Sequence, residues 1–305
     1  MTKLPTKPAL MALAIAALPG AASACACGCA IFDVGTSSLL PNGPGATLFM
    51  EYDFLNQTTN WHGGSAAPGA NNDDKKIRSD FMLVGAQYMF DNDWGAMLEV
   101  PVTHRGVLST DSGSPEETDH TALGDVRLMV NWSGLSDDMS TGITVGVKLP
   151  TGDSTFAGFD PDLQVSSGST DLLLGAYHSG NLTEDGKWGY YGQGIWQHVI
   201  ATQHDYTPGD EFNAATGVSY DGGWMLGTAT AAPVLQAIVS WRGRDGGIGD
   251  PANTGYTRLL ISPGLKVDFG TWRFYTDVEV PVAQTVNGNQ LIAPVALKFV
   301  TSYSL

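Results

Sequence analysis

Cys25-Ala26-Cys27-Gly28-Cys29 holds every thiol of a 305-residue chain. Three chemistries are open to such a cluster. Cys25 follows a segment that reads as an export signal and could take a lipid, although Ala22-Ser23-Ala24 lacks the large apolar residue usual three positions before a lipidated Cys. Two thiols can pair, which leaves one over. In an extended segment alternate side chains share a face, so three sulfurs could converge on a soft ion such as Cu(I) or Zn(II). Three ligands on an open lead-in make a weak metal site, and lipidation or a disulfide is the better reading. No cysteine follows Cys29, so no disulfide framework holds the rest of the fold, and no other cofactor is implied.

The other reactive side chains are scattered. His62, His198 and His204 fall on or near expected loops, and their spacing is not that of a metal site. Asp119-His120 lies in an acidic stretch and reads as solvated loop. Asp73-Asp74, Asp137-Asp138 and Asp160 with Asp162 offer carboxylates to Ca²⁺, yet none belongs to a twelve-residue calcium loop. There is no Gly-x-Ser-x-Gly elbow and no His-Glu-x-x-His, so the expectation is a protein that is not an enzyme. With 15 Lys and Arg against 31 Asp and Glu, the net charge is −16. That excludes the basic face of a nucleic-acid binder.

The elements that must position these residues read as strands. Residues 1–24 have the pattern of a secretory signal peptide: Lys3 and Lys7, an apolar Leu10 to Leu18, then Pro19-Gly20 and Ala22-Ser23-Ala24. Residues 25–44 form a small, polar, Cys-containing lead-in. From 45 to 305, segments of about ten alternating residues recur between turn residues, the signature of a transmembrane antiparallel barrel. Twelve are expected, at 46–56, 79–90, 94–105, 123–133, 141–150, 170–179, 188–199, 211–221, 224–239, 256–268, 271–282 and 291–304. The alternation is plain where Val126, Leu128, Val130 and Trp132 oppose Asp125, Arg127 and Asn131, and where Ile143, Val145, Val147 and Leu149 oppose Thr144 and Lys148.

Two features favour a membrane barrel over a soluble sandwich. Aromatics stand near strand ends (Trp94, Trp132, Trp188, Trp196, Trp224, Trp241, Trp272, Tyr303), as interface girdles do. The connections also alternate between short turns and long loops, the pattern of short periplasmic turns and longer external loops. Both ends of the barrel chain then lie on the periplasmic side of a Gram-negative-type outer membrane, with its lipid as a partner. Turning the apolar stripes to lipid leaves the opposite face inside: Glu51, Asp53, Glu99, Arg105, Asp125, Arg127, Lys148, Asp171, Arg258, Lys266, Arg273, Asp277, Glu279 and Lys298. Ionised groups in a dry interior cost several kcal/mol unless paired, so these are expected to be braced against one another or wet.

Proline marks three places. Glu99-Val100-Pro101-Val102 matches Glu279-Val280-Pro281-Val282, and Lys148-Leu149-Pro150-Thr151-Gly152 closes the fifth segment. Pro cannot donate to a ladder, so each should sit at a bulge or a strand end.

The order Glu99-Val-Pro-Val102, Leu123-Gly-Asp-Val126, Gly146-Val-Lys-Leu-Pro-Thr-Gly-Asp153 and Ser167-Gly-Ser-Thr-Asp171 resembles the outer-membrane "meta-pathway of phenol degradation" transporter-like family. The resemblance covers about a third of the chain and implies a barrel that takes up aromatic or other hydrophobic compounds. The cysteine cluster is not part of that pattern. The sequence reading is therefore a porin-like channel for small hydrophobic or aromatic solutes. Its alternatives are a structural or binding barrel whose Cys25, Cys27 and Cys29 carry a metal, a lipid or a periplasmic redox partner, and a secreted soluble β-protein.

Overall fold

The computed structural model describes residues 40, 41, 43–110 and 112–305; residues 1–39, with the signal segment and Cys25, Cys27 and Cys29, lie outside them. Twelve antiparallel strands close into one barrel. They are β1 (Gly45–Gln57), β2 (Asp74–Met89), β3 (Trp94–Ser109), β4 in two segments (Glu116–Leu123 and Val126–Trp132), β5 (Thr141–Leu149), β6 (Ser169–Asn181), β7 (Trp188–Thr202), β8 (Glu211–Tyr220), β9 (Ala229–Arg242), β10 (Tyr256–Phe269), β11 (Trp272–Val286) and β12 (Ala296–Ser304). Each pairs with its neighbours in sequence, and β1 closes on β12 from Thr47↔Ser304 to Leu55↔Ala296. Closure leaves no open edge to face lipid.

The period-two patterning decides which face points where. Outside stand Leu48, Val84, Leu98, Leu128, Val145, Leu235, Val278 and Phe299, all exposed. Their strand neighbours Glu51, Gln87, Arg105, Asn131, Lys148, Gln236, Asp277 and Lys298 are buried inside. The greasy stripes therefore do not meet in a central core. Aromatic pairs ring the short-turn end: Trp94 with Trp132 at 6.2 Å, Trp188 with Tyr220 at 4.8 Å, and Trp272 with Tyr303 at 4.8 Å. Trp196, Phe212 and Trp241 stand abreast nearer the other end.

Glycine makes the wall close-packed. A Cβ on Gly85 would fall 2.1 Å from the Phe49 ring, so the large inner residue of β1 fits only because its β2 partner has no side chain. The tightest turn, between β10 and β11, uses Gly270 at φ +61°.

All three prolines fall at irregularities. Between Glu99↔Arg127 and Val102↔Leu123, two residues of β3 face three of β4, and this bulge splits β4 opposite Pro101. On β11, Pro281 pairs Leu260 and Ala283 pairs Leu259, so Val282 is the extra residue of a second bulge. β5 ends at Leu149, immediately before Pro150.

Three expected boundaries are corrected. Glu116–Leu123, expected within a loop, is strand paired to β3. Trp224–Leu226 is not the start of β9 but folds back on Ala229–Ala231, turning at Gly227 with φ +66°. The last barrel strand begins at Ala296. Asn289–Ile292 pairs instead with Thr59–His62, and Pro294, which has no N–H to give, separates the two. Leu291 accordingly is buried against Ile77 and Val107.

Candidate functional site

The described charges of the barrel interior fall into two contrasting walls. On β4, β5 and β6 three of the four motifs of the sequence meet around one ammonium. Lys148 Nζ lies 3.2 Å from Asp125 Oδ2 and 2.9 Å from Asp171 Oδ2, and it donates to the hydroxyls of Ser167 and Ser169. Asp125 accepts from Ser166 Oγ at 2.5 Å, Ser167 Oγ at 3.1 Å and the Gly152 N–H at 3.3 Å. Asp171 also accepts from Gln197 Nε2 at 2.6 Å. Beside them Arg127 stands 3.7 Å from Glu99. Charge-assisted bonds of this kind are the strong ones.

That cluster anchors a loop whose length predicts an external position. Residues 150–168 turn into the barrel. Phe159 and Leu163 pack on Ile77, Val107 and Leu291 from the inner wall, with Phe156 against them. Arg105, only 1% exposed, donates Nη1 to the carbonyls of Leu163 at 2.8 Å and Gln164 at 3.2 Å. His120 stacks on Phe156 at 4.0 Å, and its Nε2 is 2.9 Å from Asp153 Oδ2. The signal for this loop was present: Phe156, Phe159, Leu163 and Val165 are too many large apolar side chains for a solvated connection.

The loop faces a latch from the far wall. Arg242 Nη2 binds Asp245 Oδ1 at 2.8 Å and the Tyr206 hydroxyl at 3.1 Å, with Glu211 at 3.7 Å; Tyr206 donates to Asp245 at 2.7 Å. Asp162 looks onto this group. Burial first, then the negative charges of Asp245 and Asp160, push its carboxyl up to about 7, with Arg242 opposing. Asp160 is raised too, by burial and then Asp250. Asp153 is held below the usual carboxylate range, first by the Thr155 N–H it accepts.

The second wall is formed by β11, β12 and β1. Lys298 Nζ is 2.8 Å from Glu51 Oε1 and 3.6 Å from Asp53 Oδ1. Asp277 accepts from Gln236 Nε2 at 2.6 Å and the Tyr275 hydroxyl at 2.7 Å. Glu279 is 1% exposed, and neither of its oxygens has a hydrogen-bond partner.

Two cavities lie within the barrel. The upper, about 130 Å³, is lined by Asp53, Phe81, Thr103, Asp125, Lys148, Pro161, Asp162, Gln164, Tyr206 and Arg242. The lower, about 100 Å³, is lined by Glu51, Gln87, Met97, Glu99, Met129, Asn131, Tyr177, Gln193 and Ile195, and by Leu40 and Pro41. Leu83 and Arg127 belong to both. Leu40 reaches the inner wall, packing on Tyr191, Ala215, Ile238 and Leu260. Each volume is that of a few waters or of a solute somewhat smaller than benzene (which a cavity of roughly 150 Å³ takes).

The remaining candidate residues are dispersed. Arg258 is buried over the Tyr256 ring, 3.9 Å from its centroid. Lys266 and Arg273 gather on Asp268, at 3.7 Å and 2.6 Å, toward the short-turn end. His62 contacts Asn289 and His198 contacts Asp210. Among the described residues, no group of three or more His, Cys, Asp or Glu is arranged to hold a metal ion.

The architecture has solved counterparts. An outer-membrane channel from Pseudomonas putida F1 superposes with a TM-score of 0.68 over 90% of this chain and all of that one, at 15% identity. The β-domain of the Bordetella autotransporter BrkA does so at 0.50 over 86% of this chain and all of that one, at 11% identity. This is the fold of outer-membrane barrels. No family profile and no curated protein sequence matches the chain.

Proposed function

We propose that the barrel is an outer-membrane conduit for small hydrophobic or aromatic solutes. One observation carries the reading: two small cavities inside a closed barrel, with Leu83 and Arg127 lining both and an inward loop lining the upper. Twelve strands enclose more than the eight that side chains just fill and less than a 16-stranded porin, and the loop narrows that space to cavities that an aromatic ring passes only when the loop shifts. The upper cavity mixes Phe81, Pro101, Pro161 and Val165 with its charges, which suits a solute with an apolar body and a polar tip. The exposed apolar belt and aromatic rings fit an outer-membrane setting. The meeting of three quoted motifs at Lys148, with the fourth beside them at the Glu99–Arg127 pair, supports treating them as one working unit, and the solute class follows the family they resemble.

The test is uptake of a radiolabelled aromatic hydrocarbon by cells with and without the protein, with single-channel recording alongside. Faster uptake and small discrete openings are expected. Equal uptake in both strains sinks the solute class, and silent bilayers sink the conduit.

A second reading has its own support. Leu40 and Pro41, the described end of the lead-in, line the lower cavity. Cys25, Cys27 and Cys29 earlier in that lead-in would hold a metal, a lipid or a periplasmic redox partner. A variant with Cys25, Cys27 and Cys29 all changed to Ser that keeps uptake, mass and metal content unchanged removes this role.

A further inference from the structure

We propose that the arc formed by β11, β12 and β1 is a seat for small monovalent cations, making the conduit pass them in preference to anions. The inference rests on the conduit reading above. Within this arc Lys298 is in ion-pair reach of Glu51 and Asp53, while Asp277 stands opposite Lys298 in the β11–β12 register and Glu279 opposite Ala296. All five side chains are buried on the inner face.

The independent observation is the state of the oxygens. Neither oxygen of Glu279 accepts a hydrogen bond, nor does Oδ1 of Asp277 or Oδ1 of Asp53. Buried carboxylate oxygens are costly to leave without a donor or counter-charge. Glu279 lies two residues from Asp277 on the same face and opposite Ala296, two residues from Lys298. Its open acceptors therefore lie beside the existing cation.

Position makes the arc a step on a path. Glu51 lines the lower cavity and Asp53 the upper, so one carboxylate of the arc faces each. Low-dielectric walls of one sign focus the field and raise the local concentration of the opposite ion. The facing wall does not cancel this, because Lys148 and Arg127 are spent on Asp125, Asp171 and Glu99. The ion is a loosely held monovalent one, because conduction needs sites weak enough to leave.

The experiment is a reversal potential in planar bilayers under a KCl gradient. Wild type is expected to prefer K⁺ over Cl⁻. Glu279→Gln should lower that permeability ratio by roughly fivefold, the change made by one unit charge at about 4 Å in a water-filled path. Lys298→Met should raise it; if that variant does not fold, Asp277→Asn, expected to lower it, takes its place. Near-equal permeability in wild type, or a ratio that Glu279→Gln leaves untouched because the arc holds only protons, overturns the cation seat while leaving a working conduit. Absence of any conductance overturns both.

Discussion

The two Glu-Val-Pro-Val segments place the same residues on opposite walls and give them opposite circumstances. Each proline sits beside a bulge, and each glutamate points inward. Glu99 faces Arg127 across the β3–β4 pairing, in a wall where Lys148 answers two further carboxylates. Glu279 stands on a wall with four carboxylates and one lysine, and its oxygens have no donor. A repeated sequence therefore does not repeat a role. Cross-strand register decides whether a buried charge braces the barrel or stays open to a passing ion.

The largest effect that would sharpen the contrast comes from Lys148→Met. It strands Asp125 and Asp171 without their ammonium, and breaking a buried pair costs about 3–5 kcal/mol. The expected result is a large fall in the midpoint of heat-modified migration in detergent. Arg105→Met should come next. It removes one charged nitrogen shared by two loop carbonyls, at roughly 1.5–3 kcal/mol for a hydrogen bond to a charged group. Protease cutting within 151–168 and larger single-channel openings should follow; an unchanged cleavage pattern would show that the apolar contacts alone hold the loop.

The paired glutamates give the smaller and more discriminating test. Glu99→Gln should destabilise by about 1–2 kcal/mol, because Arg127 loses its partner. Glu279→Gln should be neutral or stabilising by up to about 1 kcal/mol, because it removes a buried charge without a donor. Equal losses in urea unfolding would erase the distinction between the walls. Least in size is a pH effect on the loop. Asp162 is raised to about 7 by burial, so the docked loop favours its protonated form. Docking is then firmest below the ordinary carboxylate range, near pH 4, and weakens as pH climbs through about 7. Hydrogen exchange across 151–168, corrected for its intrinsic pH dependence, should follow that trend in wild type and be shallower in Asp162→Asn.

Strand count, alternation and sidedness were legible because period-two patterning is local and repeated twelve times. Pro101, Pro150 and Pro281 were legible as irregularities because Pro has no N–H to give to a ladder. The inward loop was not read, since length alone suggested an external loop, although Phe156, Phe159 and Leu163 signalled burial. The partners of the inner charges were beyond reach for another reason. Arg242 finds Tyr206 and Arg105 finds Leu163 through registers and loop paths set by the whole closed sheet, and no spacing in the chain encodes them.

The β1–β12 seam has a consequence for how the barrel is made. The bond from Lys298 to Glu51 joins positions 247 residues apart. Contacts so distant in sequence form late, since nearly the entire loop must be ordered first. The seam lysine thus acts as a clasp fastened at the end of assembly. An intermediate caught before that moment would carry Glu51 and Asp53 on an unpaired edge, a negatively charged strand that repels a second unfinished copy rather than zipping onto it.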